Sequence, residues 1–475
     1  MFYNRFLPFK SAKFIYTVRL NMKTTVTLSQ KSKQFLVILL PILITQIALS
    51  AITFFDTNMS GHAGSTDLAG VAIGSSLWVP LQTGLSGILM GMTPIVSHLI
   101  GGGQAQKVAY HVMQGLWLAL LLAVAILAIG SMLLPVILDG MNLDAPVRSV
   151  AFRFLSFLSI GIIPMFGYTV LRSYIDALGH TKISMTITLI SLPINIFLNY
   201  LLIFGNWGFP RLGGAGAGIA SAITYWCVFA VAVTFVIRLK PFAAYGIFRK
   251  FHGVSLKVWK ELLKIGVPIG FSIFFETAVF AAVTLLMSRF NTITIAAHQA
   301  AMNFASTLYM IPLSISMALT ILVGFEKGAG RLKDARQYSI LGIGSAVVLS
   351  LATAVVLLVA GKYVAGLYSE ESNVIALTQH FLIYAIFFQI SDAIATPVQG
   401  ALRGYKDVNP AFIITFISYW VIGLPVGYLL ASFTSLGAFG FWIGLIAGLA
   451  AGATLLLWRL VRVQRASREN KAIAA

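Results

Sequence analysis

Charge is what this chain has least of. Only 10% of its 475 residues are charged, and Asp and Glu together number 14 against 33 Lys and Arg. With 58% hydrophobic residues and a mean hydropathy of +0.90, that scarcity excludes a soluble globular domain and requires solvation by lipid. A single cysteine, Cys227, excludes an intrachain disulfide and reads as a small buried side chain in an apolar run. No Gly-x-x-x-x-Gly-Lys-Ser/Thr run occurs, so nothing suggests ATP hydrolysis. No His pairs with Cys, Asp or Glu at metal-ligand spacing, and His298, the one His well inside an apolar stretch, reads as structural. Acids clustered as Mg2+ ligands near an interface are missing, which argues against a membrane enzyme, and polar pore rings are missing, which argues against a channel.

The apolar runs do not alternate with period two as barrel strands would, so they read as helices. Hydrocarbon leaves every backbone N–H to be paired within its own segment. Twelve stretches reach spanning length: 35–61, 68–98, 108–135, 151–173, 183–205, 215–237, 262–288, 295–324, 338–366, 375–402, 410–431 and 438–458. If the N-terminus is cytoplasmic, 28 of the 33 basic residues fall on the cytoplasmic side, leaving Arg148, Arg153, Arg211, Arg289 and Lys362 outside. The net charge of +19 is then topological, and the scattered basic loops do not make a nucleic-acid patch. These expectations place both termini in the cytoplasm. Residues 1–34 form a leader, 35–237 and 262–462 two six-helix lobes, 238–261 a linker and 463–475 a tail. The leader has no uninterrupted apolar core like that of a cleavable signal, and Met22 is a candidate alternative start. The linker, with Arg238, Lys240, Arg249, Lys250, Lys257 and Lys260 around Val258 and Trp259, reads as an interfacial amphipathic segment. Trp207, Trp259 and Trp458 read as interface anchors.

The halves repeat. Pro41 matches Pro268, Lys107 matches Lys333, and Ala177-Leu178 matches Ala401-Leu402. Tyr200-Leu201-Leu202 matches Tyr428-Leu429-Leu430, and Leu212-Gly213 matches Leu436-Gly437, all at nearly one offset. Six spans per half is an even number, so the halves are parallel, related by an axis along the membrane normal. Alternating access about a central cavity is the expected motion.

On these boundaries only three carboxylates, Asp56, Glu276 and Asp392, lie inside spans, and no Lys or Arg sits mid-span to neutralise them. A carboxylate at mid-bilayer costs about 2.5–3.5 kcal/mol on insertion scales, so each marks a functional position by default. Acids without resident cations call for a mobile one, H+ or Na+. Asn195 and Asn199, four apart in span five, share a helix face from which they could ligate a cation, bond Asp56, or bond a neighbouring helix. Away from their ends the spans hold no basic side chains for a pyrophosphate headgroup, as the rival reading, a lipid-linked precursor flippase, would require.

Phe55-Asp56-Thr57 in span one, Phe274-Phe275-Glu276 in span seven, and Asp392 followed by Gln399-Gly400-Ala401-Leu402-Arg403-Gly404-Tyr405-Lys406-Asp407 resemble the multidrug and toxic compound extrusion (MATE) family, NorM branch. The likeness runs from about Gln34 to Arg462. It implies an all-α integral membrane protein with twelve transmembrane helices in two pseudo-symmetric, V-shaped halves, a monomer of the bacterial plasma membrane. It further implies export of organic cations, such as fluoroquinolones and dyes, in exchange for Na+ or H+ with no other cofactor. Carried over residue by residue, Glu276 and Asp392 would form the Na+ or H+ site of the second half, and Asp56 with Asn195 and Asn199 that of the first. NorM relatives can carry Tyr one turn before the span-ten Asp; this chain has Phe388, which removes one hydroxyl ligand.

Overall fold

The computed structural model describes Met22 and residues 24–473. Among the described residues, eleven helices are long and apolar enough to cross a membrane, and a bent pair, counted as one span, brings the number to twelve. In chain order they are α1 (Leu28–Ala63), α2 (Ser65–Gly101), α3 (Ala105–Gly140), α4 (Ala145–Ser159 with Ile162–Ala177), α5 (Thr181–Phe204) and α6 (Gly214–Arg238). The second half follows as α7 (Leu256–Met287), α8 (Thr292–Gly328), α9 (Leu332–Gly366), α10 (Ser372–Gly404), α11 (Val408–Phe433) and α12 (Phe439–Glu469). Most run several residues beyond the apolar stretches, because a helix keeps its backbone paired whether lipid or water surrounds it. The two halves of α4 meet at 51°. Pro164 lies in the first turn after this break, where its missing N–H leaves no intrahelical bond unmade.

Lipid tails are as apolar as Leu, so helices in a bilayer associate through close packing and polar contacts rather than hydrophobic expulsion. The seam between the lobes shows the first of these. Along α2 and α7, Gly84, Gly87 and Gly91 face Gly266 and Gly270, and a Cβ on Gly91 would stand 2.8 Å from the Gly266 Cα. At Gly87, Gly91, Gly266 and Gly270 even a single added carbon would clash.

The second is concentrated at the end that carries Lys107, Arg238, Lys240 and Arg331, called here the basic end. There Lys31 of α1, only 1% exposed, pairs with Asp334 of α9 at 2.9 Å and donates to the Thr25 carbonyl at 3.0 Å. Thr25 bonds the Tyr338 hydroxyl at 3.0 Å, and His98 of α2 meets the Gly404 carbonyl at 2.7 Å. A Cβ on Gly101 would stand 2.0 Å from the Phe325 carbonyl oxygen, so the lobes are shut together at this end. Toward the other end they diverge. Gln299, Asn303, Ser306 and Thr307 are exposed at three- and four-residue intervals along α8. Such a polar stripe suits a wet cleft and not lipid.

The linker departs from its sequence reading. Its helical portion is only Lys240–Ala243, and Lys257, Val258, Trp259 and Lys260 belong to the first turns of α7. The intervening chain is clasped by α3. Gln114 donates to the Gly253 carbonyl and accepts from the Ser255 N–H, both at 2.8 Å, and Trp117 donates to the His252 carbonyl at 3.0 Å. Trp259 donates to the Gln114 carbonyl at 3.1 Å, so it is part of the clasp. Trp207 and Trp458 are exposed, as anchors would be. At the C-terminus α12 continues as helix to Ile473, through the positions read as a tail.

Candidate functional site

The first-half acid sits among neutral donors. Asp56, late in α1, accepts from Asn199 Nδ2 at 2.6 Å on Oδ1 and from Ser221 Oγ at 2.9 Å on Oδ2. Asn199 Nδ2 also reaches Asn195 Oδ1 at 3.1 Å, and Asn195 Nδ2 contacts Ser221 Oγ at 3.4 Å. Both amides are 0% exposed, and Asn199 Oδ1 is buried without a hydrogen-bond partner. One helix face of α5 therefore serves Asp56, and α6 adds Ser221. The carboxylate and the Ser221 hydroxyl, with the two amides beside them, offer oxygen ligands to a hard cation or a protonation site for H+.

The second-half acids lie in the other lobe. Glu276 of α7 is 6% exposed and Asp392 of α10 is 2% exposed. Tyr309 of α8 donates to Glu276 Oε1 at 3.1 Å, and Thr396 donates to Asp392 Oδ1 at 2.7 Å. One turn away the site turns apolar: Phe280 and Phe388 meet edge to face at 5.7 Å. Glu276 and Phe280 are four apart on α7, as are Phe388 and Asp392 on antiparallel α10, so the two aromatic rings form one layer next to the two acids. His298, 0% exposed, accepts from Trp442 Nε1 at 3.1 Å and packs among Phe381 and Trp442, a structural role.

None of the ion pairs among the described residues includes Asp56, Glu276 or Asp392. Arg403, buried near the end of α10, bonds Gln399 at 3.4 Å, and its charge acts on Glu276 through space without contact. The structure thus brings Asp392 and Glu276 into one electrostatic environment and holds Asp56 with Asn195 and Asn199 in another. Two further buried acids fall outside the apolar stretches of the sequence: Asp176 of α4, paired with Arg172 at 3.5 Å and bonded by Ser184, and Glu326 of α8, paired with Arg331 at 2.5 Å. Both carry a fixed basic partner, so they belong to the scaffold. They escaped the sequence reading because the helices outrun the apolar stretches. Ser221, Tyr309 and Thr396 escaped because Ser, Thr and Tyr are ordinary in spans; only Thr396, four residues after Asp392, had a spacing that could have flagged it.

Comparison with known proteins agrees with this architecture. The MatE family model matches twice, at residues 41–201 and 268–429, beginning at the two prolines that anchor the internal repeat. A probable multidrug resistance protein NorM of Bacillus subtilis is 60% identical, the alignment covering 94% of this chain and 98% of the relative. One from Halalkalibacterium halodurans is 58% identical, covering 94% and 97%. Among solved structures, an outward-facing multidrug resistance MATE family transporter of the MOP superfamily superposes with a TM-score of 0.85 over 95% of this chain and 99% of its own, at 18% identity, a likeness of fold. With a family model matched in both halves and full-length relatives well above half identical, the chain belongs to the MATE family.

Proposed function

We propose that this protein is a secondary active multidrug exporter that moves organic cations, of fluoroquinolone and dye type, in exchange for Na+ or H+ by alternating access. The observation that carries the reading is the set of three acids inside spanning helices, each bonded by neutral donors and none ion-paired. With the cleft open to the cytoplasm, free carboxylates attract a cationic drug. With it open outward, arriving ions compete the drug away and reset the carrier. Charge neutralisation is the switch. The basic end is cytoplasmic on the positive-inside rule, which puts both termini in the cytoplasm of a bacterial plasma membrane and makes the described conformation outward-facing. The carrier acts as a monomer, since one chain supplies both acid sites and the cleft.

Stoichiometry follows from voltage. One charge crossing the membrane potential is worth about 2.3 kcal/mol per 100 mV, so one ion for one monovalent drug gains nothing from it. Two ions per drug recover that term, and two separate acid sites provide for it. A lipid-linked precursor flippase is less favoured: Arg172 and Arg403 do lie within the helices, but one is paired with Asp176 and the other is buried, so neither offers a headgroup a free cation. Ethidium efflux from membrane vesicles under separately imposed Na+ and pH gradients tests the proposal. At least one gradient should drive efflux, and efflux that ignores both while following ATP would overturn it.

A further inference from the structure

Four of the helices that finish at the basic end do so with a left-handed residue that closes the last turn. After α2, α4 and α8 that residue is glycine: Gly103, Gly179 and Gly330, with φ of 70°, 79° and 70°. After α10 it is Lys406, at φ 62°. The closing hydrogen bond is the same in each. The Gln104 N–H donates to the Leu99 carbonyl at 2.8 Å, His180 to Ile175 at 3.2 Å, Arg331 to Glu326 at 2.9 Å and Asp407 to Leu402 at 2.9 Å. Glycine adopts this backbone freely and lysine does not, so the turn after α10 gives up stability to carry a cation. That cation stands 3.3 Å from Glu261 of α7 and lines a cavity of about 380 Å³ between α7 and the α10–α11 junction, together with Lys264, Asp407 and Pro410.

The charges around this cavity do not cancel. Arg459 of α12 engages both oxygens of Asp407, at 2.7 and 2.8 Å, and Glu261 is shared between Lys406 and His111 of α3, the latter at 3.9 Å. None of the ion pairs among the described residues includes Lys264, one turn after Glu261, so a positive charge is left over. From the cavity an aromatic face runs into the membrane. Phe271 and Phe275 follow Lys264 on one side of α7, while Gly266 and Gly270, which meet α2, lie on the opposite side. Phe412, Ile413 and Phe416 follow Asn409 down one side of α11. The rings join the two helices: Phe271 meets Phe412 at 6.0 Å, and Phe275 meets Phe412 at 6.1 Å and Phe416 at 4.9 Å. Phe271 and Ile413 are exposed, and because the lobes are shut together at this end, what they meet is lipid. Surplus positive charge at the end of a lipid-facing aromatic strip matches an amphiphile with an anionic head. We propose that the cavity binds the phosphate of an anionic phospholipid in the leaflet at the basic end. Lys264 and Lys406 hold the headgroup, and the Phe271, Phe412 and Ile413 strip takes an acyl chain.

The test displaces a fluorescent phosphatidylglycerol from the purified full chain in nonionic detergent, using phosphatidylglycerol, phosphatidylcholine of the same chains, or glycerol 3-phosphate. Phosphatidylglycerol should displace at about a tenth of the amount of phosphatidylcholine needed, and glycerol 3-phosphate, which has no chains, should not displace at all. Lys264→Gln with Lys406→Gly should raise the half-displacing amount of phosphatidylglycerol about tenfold. Lys182→Gln, at the same end of the other lobe, should leave it within about twofold. Glu261→Gln frees Lys406 and should lower it. Lys406→Gly should keep the parental thermal midpoint, because glycine relieves the turn, and Lys264→Gln, which leaves that turn untouched, should weaken binding by itself. Equal displacement by phosphatidylglycerol and phosphatidylcholine overturns the proposal, as does parental binding in the double variant. An equal loss in Lys182→Gln also overturns it, since it marks diffuse surface charge. Displacement by glycerol 3-phosphate at the lipid's own concentration does so too, since it gives the cavity to a soluble phosphate.

Discussion

Glu276→Gln is expected to abolish ion-driven ethidium efflux, lowering its initial rate by about tenfold to a hundredfold, with the protein still present at parental level in the membrane. Gln keeps the volume of Glu and can still accept from Tyr309, so the fold loses little. What disappears is the charge that draws a cation out of water. Hydrogen bonds to a charged group are worth about 1.5–3 kcal/mol and each 1.4 kcal/mol is a factor of ten, which sets the range. Asp392→Asn should act alike, because Asp392 and Glu276 share one electrostatic environment. Asp56→Asn should impair transport while leaving the second-half site intact, since its partners Asn199 and Ser221 belong to the other lobe. Initial rates in vesicles, normalised to protein content, check all three. If Glu276→Gln and Asp392→Asn each transport at the parental rate, these acids are not the coupling site.

Lys31→Met is expected to open the basic end. Removing one partner of a buried pair costs about 3–5 kcal/mol because the other charge is stranded. Asp334 is partly exposed and lies near Arg331, at 3.9 Å, so the lower figure applies. Against an equilibrium that about 5.5 kcal/mol carries from 1:99 to 99:1, about 3 kcal/mol is enough to make the inward-open form a major species. Replacing both partners with apolar groups, Lys31→Met with Asp334→Leu, should close it again, since an apolar pair strands no charge. The reporter is Ser97→Cys in a Cys227→Ala background. Ser97 is fully buried, and its Cβ would stand 3.0 Å from a Cβ on Gly324 of the facing lobe. A membrane-permeant maleimide should label the thiol introduced by Ser97→Cys slowly in the parent, rapidly with Lys31→Met, and slowly again in the double variant. Equal labelling in all three would show that the pair does not hold the lobes together.

The legible and illegible parts of this protein divide along physical lines. Asp56, Glu276 and Asp392 stood out in the sequence because hydrocarbon penalises charge and leaves few exceptions to read. The pairing of Asn195 with Asn199 followed from helical spacing alone, and the structure adds that their shared face meets Asp56. The twelve-span count came from run length together with the one-sided distribution of Lys and Arg. Ser221 lies 165 residues from Asp56 in sequence and Tyr309 lies 33 from Glu276, contacts that only helix packing creates. The π-helical turn of α11, Ile417–Gly423, left no periodic signal, because one extra residue does not disturb an all-apolar run. Gln114 hid the linker clasp in the same way: a single amide in α3 organises a loop whose charges had suggested a membrane-surface helix.

The most direct measurement reverses the coupling. Linkage between two ligands is reciprocal, so a drug gradient must move the coupling ion as surely as an ion gradient moves the drug. Vesicles containing the purified chain, with equal Na+ and pH on both sides, are given an ethidium gradient, and internal Na+ and pH are followed with fluorescent indicators. Na+ or H+ should move opposite to ethidium through the parent, and neither should move with Glu276→Gln. Ethidium flux through the parent protein with neither ion moving would contradict coupled exchange.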